Sequence, residues 1–137
     1  MKLDNLLRAH GFMRVERPPE IWEADTEDVR LVPLIGEMIA AALAGGGALV
    51  TLTLNASNIV VEEGDRPAAG QYVALTVSGM IDVGPDAVWP DSGAAGSGLL
   101  VRLHDRLVTA GAVFAYIRRT GTFGSMTVFL RRSTVVE

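Results

Sequence analysis

The sequence predicts an α+β fold: a two-layer sandwich with a mixed, mostly antiparallel sheet and helices on one face. Two observations carry this. Apolar residues change between helical and alternating spacing in the order helix, three strands, long loop, helix, two strands. The links between neighbouring strands are also too short for crossovers, which makes those pairs antiparallel.

The elements follow in order. Asp4 to His10 reads as a short helix with Leu6 and Leu7 inward, stopped by Gly11. Phe12 to Glu16 reads as a strand, Pro18-Pro19 breaks it, and Ile21 to Ala24 is a second extended piece. Asp25 is an N-cap candidate, with acidic Glu27 and Asp28 in the first turn where they suit the helix dipole. Leu31, Ile35, Met38 and Ala42 then repeat at helical spacing, with Val32, Ile39 and Leu43 beside them, up to Gly45-Gly46-Gly47. Pro33 inside this pattern predicts a kink or a later start.

Three strands are expected next: Ala48 to Leu54, Asn58 to Glu62 after an Asn-Ala-Ser turn, and Gln71 to Ser78 with Val73, Leu75 and Val77 alternating. The run 79–98, rich in Gly, Pro and Asp around Trp89, reads as a long irregular loop, and such loops often carry function. A helix opening at Ser97 or Gly98 carries Leu99, Leu103, Leu107 and Val108 and closes at Gly111. Ala112 to Arg118 and Ser125 to Arg131 form a final hairpin.

Composition narrows the function classes. The 137 residues are about one domain, 49% hydrophobic and 20% charged, enough to bury a core. A net charge of -4 argues against a general nucleic-acid binder. The lack of cysteine excludes disulfides, thiolate metal sites and cysteine nucleophiles, and two histidines, His10 and His104, leave little for a histidine metal centre. No apolar run reaches the roughly 20 residues of a membrane span, and Met1 to His10 has no signal-peptide apolar centre. A cytoplasmic domain, with no membrane role, is the expectation.

Several segments taken together resemble the ATP-binding domain of sensor histidine kinases, in the superfamily that also holds gyrase B, MutL and the Hsp-type chaperones (GHKL, or Bergerat, fold). The first is Ala24-Asp25 followed by an apolar helix ending Ala41-Ala42-Leu43-Ala44-Gly45-Gly46-Gly47. The second is Gly70 to Ser78, similar to the strand that leads to the adenine-binding aspartate. Gly96-Ser97-Gly98-Leu99-Leu100-Val101 is similar to the second glycine box, and Gly111 to Phe114 and Gly124 to Leu130 resemble the strands that follow. The resemblance spans Trp22 to Arg132 and implies two parts: a short N-terminal helix and extended segment, 1–20, and a kinase-like ATPase domain, 21–137.

Departures from the family pattern bear on function. The place of the Mg²⁺-binding asparagine falls at Met38, and a thioether is a poor ligand for a cation that demands oxygen. Glu37 is the nearby oxygen-bearing side chain, turned about 100° away on a helix. The adenine-reading aspartate falls at Gly79 and a following glycine at Ile81; Asp82 could substitute only with a three-residue shift. No lysine or arginine lies between Arg66 and Arg102, while Asp82, Asp86 and Asp91 would repel a triphosphate. Gly96-Ser97-Gly98 could still present backbone amides to an anion.

The expectation is therefore a degenerate domain that binds no cofactor and acts on a protein partner, with two-component signalling as the implied context and a homo-oligomer possible. The alternative is a working kinase or ATPase domain holding ATP with Mg through Glu37 and Asp82. A third reading is an unrelated α+β domain that binds a small ligand in the 79–98 loop. Candidate partner contacts are Trp89, which would otherwise plug the pocket, and the pairs Arg118-Arg119 and Arg131-Arg132 on neighbouring strands. Protection of sheet edges is the alternative role for the arginines. His104-Asp105 has the phosphoacceptor pattern but sits on the wrong helix for it, and Glu62, Glu63 and Asp65 read as a solvated hairpin tip.

Overall fold

The computed structural model describes residues 14–16, 19–26, 28–45, 53–64, 68–79, 86–89, 98–121 and 123–133. The expected helix at Asp4 to His10 lies outside them. The described residues form β1 (Arg14–Glu16), α1 (Asp28–Gly45), β2 (Thr53–Val61), β3 (Gly70–Gly79), β4 (Ala87–Trp89), α2 (Gly98–Thr109), β5 (Ala112–Thr120) and β6 (Phe123–Arg131). The strands form one six-stranded sheet in the order β1-β2-β3-β6-β5-β4. Only β1 and β2 pair in parallel, and α1 supplies the crossover a parallel pair needs. The expected α+β class, with a mixed and mostly antiparallel sheet, is the observed one.

Both helices cover one face. Leu31, Leu34, Ile35 and Met38 of α1 and Leu100, Leu103, Leu107 of α2 join Leu54, Val73, Leu75, Val77, Ile117, Met126, Val128 and Leu130 in the main core. The even positions of β2 and β6 and the odd positions of β3 thus point at the helices, as the two-residue strand period requires. At about 1.5–3 kcal/mol for each fully buried Leu, Ile or Met, this layer is the principal stabilising term. A second cluster, Val61, Tyr72, Ala74, Phe114 and Phe129, lies on the opposite face and includes no helical residue among those described.

Five local expectations are corrected. The turn expected at Asn55-Ala56-Ser57 is strand: β2 runs through it, paired residue by residue with Ala74 to Thr76 of β3. Asn and Ser favour turns in isolation, but here the ladder bonds and the burial of Ala56 hold the segment extended. The loop expected over 79–98 contains β4, bonded to the outer edge of β5. Helix α1 starts at Asp28 rather than after Asp25, whose N–H instead donates to Arg131 O at 2.7 Å. Pro33 lies inside α1 without ending it. On α2, Val108 is 57% exposed, and the buried stripe runs Leu100, Leu103, Leu107, Ala110.

Two glycines need their freedom. Gly111 (φ +77) ends α2 as a left-handed cap, its N–H donating to Val108 O at 3.0 Å. Gly121 (φ +60) turns the β5–β6 hairpin, where Thr120 faces Phe123 across a two-residue loop. No described helix is long and apolar enough to cross a membrane.

Candidate functional site

Of the positions that the kinase-like pattern assigns to nucleotide and metal, Glu37 and Met38 lie on α1, Gly79 ends β3 and Gly98 begins α2. Met38 is fully buried, a member of the core with Leu34, Leu103 and Leu107. Its helical spacing from Leu31, Leu34 and Ile35 directs it at the sheet, so the place where the family pattern puts an oxygen ligand holds a packed thioether. Gly79 is the last residue of β3, facing Gly124, and has no side chain to offer a base. Glu37, one residue on from the inward stripe, faces solvent with its Oε1 3.2 Å from Arg106 Nε of α2. Its carboxylate therefore already has a cationic partner. Gly98 is the first residue of α2. Ile81, Asp82, Gly96 and Ser97 lie outside the described residues, as does His10.

Met38 offers no hard donor and Gly79 no acceptor, and among the described residues no group of three His, Asp or Glu side chains could hold a metal ion.

Trp89 is 8% exposed and belongs to the main core, so of the two placements weighed for it, exposed anchor or buried filler, the indole takes a buried one. β4 turns the indole inward beside α2, where Trp89 Nε1–H donates to His104 Nδ1 at 3.0 Å and the rings meet edge-on at 5.8 Å. An accepting Nδ1 places the proton of the neutral imidazole on Nε2. His104 thus ties an edge strand to α2.

The two arginine pairs sit on adjacent strands but at opposite ends of the ladder. Arg118 faces Ser125, whereas Arg131 lies beside Leu130, which faces Ala112; at about 3.4 Å per residue the ends are roughly 20 Å apart. They make no single basic patch. Arg132 is a structural clamp: its guanidinium donates to Gln71 Oε1 at 2.9 Å and lies 4.3 Å from the Trp22 ring centroid. The Arg119 side chain donates to Gly121 O, and its backbone N–H to Asp86 Oδ1 at 2.8 Å. Arg118 lies over the Tyr116 ring at 5.2 Å, and Arg131 is exposed.

Two groups escaped the sequence reading. Asn58 Oδ1 accepts from Trp22 N–H at 2.9 Å while its Nδ2 donates to Glu20 O at 2.8 Å, pinning the segment before α1 to β2. The sheet face opposite the two described helices carries Phe114, Tyr116 and Phe129 in mutual contact, ring centroids 5.5 to 6.2 Å apart. The signal for the second group was alternation: these side chains occupy the strand positions between the helix-facing ones.

No protein family and no curated protein matches the chain in sequence. Among solved structures, the Acinetobacter baumannii histidine kinase AdeS is similar at a TM-score of 0.48 and 13% sequence identity, over 96% of this chain and 64% of that one. The chain thus spans less than two thirds of that kinase. A likeness of this size carries no argument about ligand or activity.

Proposed function

We propose that this chain is a degenerate kinase-like ATPase domain that neither binds nor hydrolyses nucleotide and acts by binding another protein, in a two-component setting. The observation that carries this reading is Met38, fully enclosed among leucines at the position where the family pattern needs an oxygen ligand for Mg²⁺. The Glu37–Arg106 ion pair supports it, because the nearest carboxylate is already engaged by the neighbouring helix. The exposed Arg118-Arg119 end of the β5–β6 hairpin is the proposed partner contact, and an acidic surface is its complement.

Thermal unfolding of the full chain with and without Mg-ATP tests the nucleotide half. A ligand at 100 times its dissociation constant adds about 2.7 kcal/mol of stability, so the expected result is an unchanged Tm. A rise in Tm that disappears in Asp82→Asn overturns the proposal. Capture from native extract tests the partner half: a protein retained by the chain and lost in the double charge reversal Arg118→Glu, Arg119→Glu supports it, and retention unaffected by that change moves the contact elsewhere.

A further inference from the structure

The sheet face opposite the two described helices carries a concavity of about 410 Å³, lined among others by Val88 of β4, Phe114 and Tyr116 of β5, Phe129 of β6, Asp86 and Arg118. That volume falls within the roughly 300–1,000 Å³ of small-molecule pockets. Phe114 and Phe129 are each 9% exposed and meet edge-on at 75°, so the apolar wall is a packed aromatic pair.

The rim is chemically specific. Ala87 faces Ile117 across the β4–β5 ladder, which sets Asp86 against Arg118 on the same side as Val88 and Tyr116. Opposite charges so placed ordinarily pair, yet among the described residues no carboxylate lies within ion-pair distance of Arg118. Its guanidinium lies over Tyr116 instead. Asp86 is held in place through Oδ1 by the backbone N–H of Arg119. A carboxylate fixed through Oδ1 and a guanidinium that no described carboxylate bridges therefore stand side by side in the lining of an aromatic-walled hollow.

The geometry points to a binding site for a small aromatic zwitterion, an aromatic α-amino acid in chemical class. Its ring packs on Phe114 and Phe129 in the offset or edge-on arrangements that aromatic pairs favour. Its carboxylate takes the charge-assisted bonds of Arg118 and its ammonium pairs with Asp86. A simple anion would meet Asp86 and a simple cation Arg118, so both charges are needed together. This site is separate from the cleft between the helices; it shares Arg118 with the proposed partner contact but does not depend on that reading, since its test reads a small ligand and not a captured protein.

The test is titration of the ¹⁵N-labelled full chain with L-phenylalanine, 3-phenylpropionate, phenethylamine and L-alanine, read by amide shifts. L-phenylalanine is expected to move the amides of Val88, Tyr116, Arg118 and Phe129. The probes that lack the ammonium, the carboxylate or the ring should bind at least about tenfold more weakly, as expected for loss of one charge-assisted contact. Arg118→Gln and Asp86→Asn, both at exposed positions, should each weaken L-phenylalanine by a similar factor while leaving the remaining spectrum folded. Absence of shifts with L-phenylalanine overturns the proposal. So does equal binding of 3-phenylpropionate or phenethylamine, or L-phenylalanine affinity unchanged in both variants.

Discussion

At position 38 a methionine lies fully enclosed between α1, α2 and the sheet. Met38→Asn would restore an oxygen donor to the expected metal position but would bury an amide among leucines. It is expected to lower unfolding stability by at least about 2 kcal/mol in urea titrations, through lost packing and an unsatisfied amide, without creating Mg-ATP binding. Trp89 separates two contributions in a similar way. Trp89→Phe keeps most of the ring but removes the donor to His104 Nδ1, an expected loss of about 0.5–1.5 kcal/mol. Trp89→Ala also empties the core and is expected to cost about 3–5 kcal/mol. Equal effects of the two substitutions in chemical denaturation would show that the hydrogen bond, rather than the packing, holds β4 in place.

At the scale of elements, α1 carries an internal inefficiency. Pro33 has no N–H to donate to Val29 O, four residues back, so one bond of the helix is missing. Pro33→Ala is expected to raise stability, by up to about 3 kcal/mol, measured as a higher denaturant midpoint. The Glu37–Arg106 pair joins α1 to α2, but with both side chains nearly half exposed a double-mutant cycle should find a coupling below about 1 kcal/mol. The Asn58 clamp has a larger role in fixing how the chain enters α1, since it satisfies two backbone groups at once. Asn58→Ala should cost about 1–3 kcal/mol and deprotect the Trp22 amide in hydrogen exchange. An unaltered Trp22 exchange rate would remove the clamp.

Across the whole molecule, β3 and β6 occupy the centre of the sheet, each paired on both sides, and the helix layer covers their inward residues. Their mid-strand amides, from Val73 to Val77 and from Met126 to Leu130, are expected to exchange only by global unfolding. The three-residue edge strands β1 and β4 should open first. Short edges also limit pairing with other chains.

The sequence by itself determined the class of fold and most of its helix-facing residues. The 3.6-residue recurrence of Leu31, Ile35 and Met38 and the two-residue alternation of Val73, Leu75 and Val77 are imposed by local backbone geometry and can be read from one segment at a time. Only the tertiary structure decided the continuity of β2 through Asn55-Ala56-Ser57, the existence of β4 and the inward turn of Trp89. Each depends on a partner distant in the chain: β3 for the first, β5 for the second, His104 and the core for the third. The same holds for the separation of the two arginine pairs and for the meeting of Asp86 with Arg118. Strand register is set by the summed burial and hydrogen bonding of the whole sheet, and local propensity yields to it wherever the two conflict.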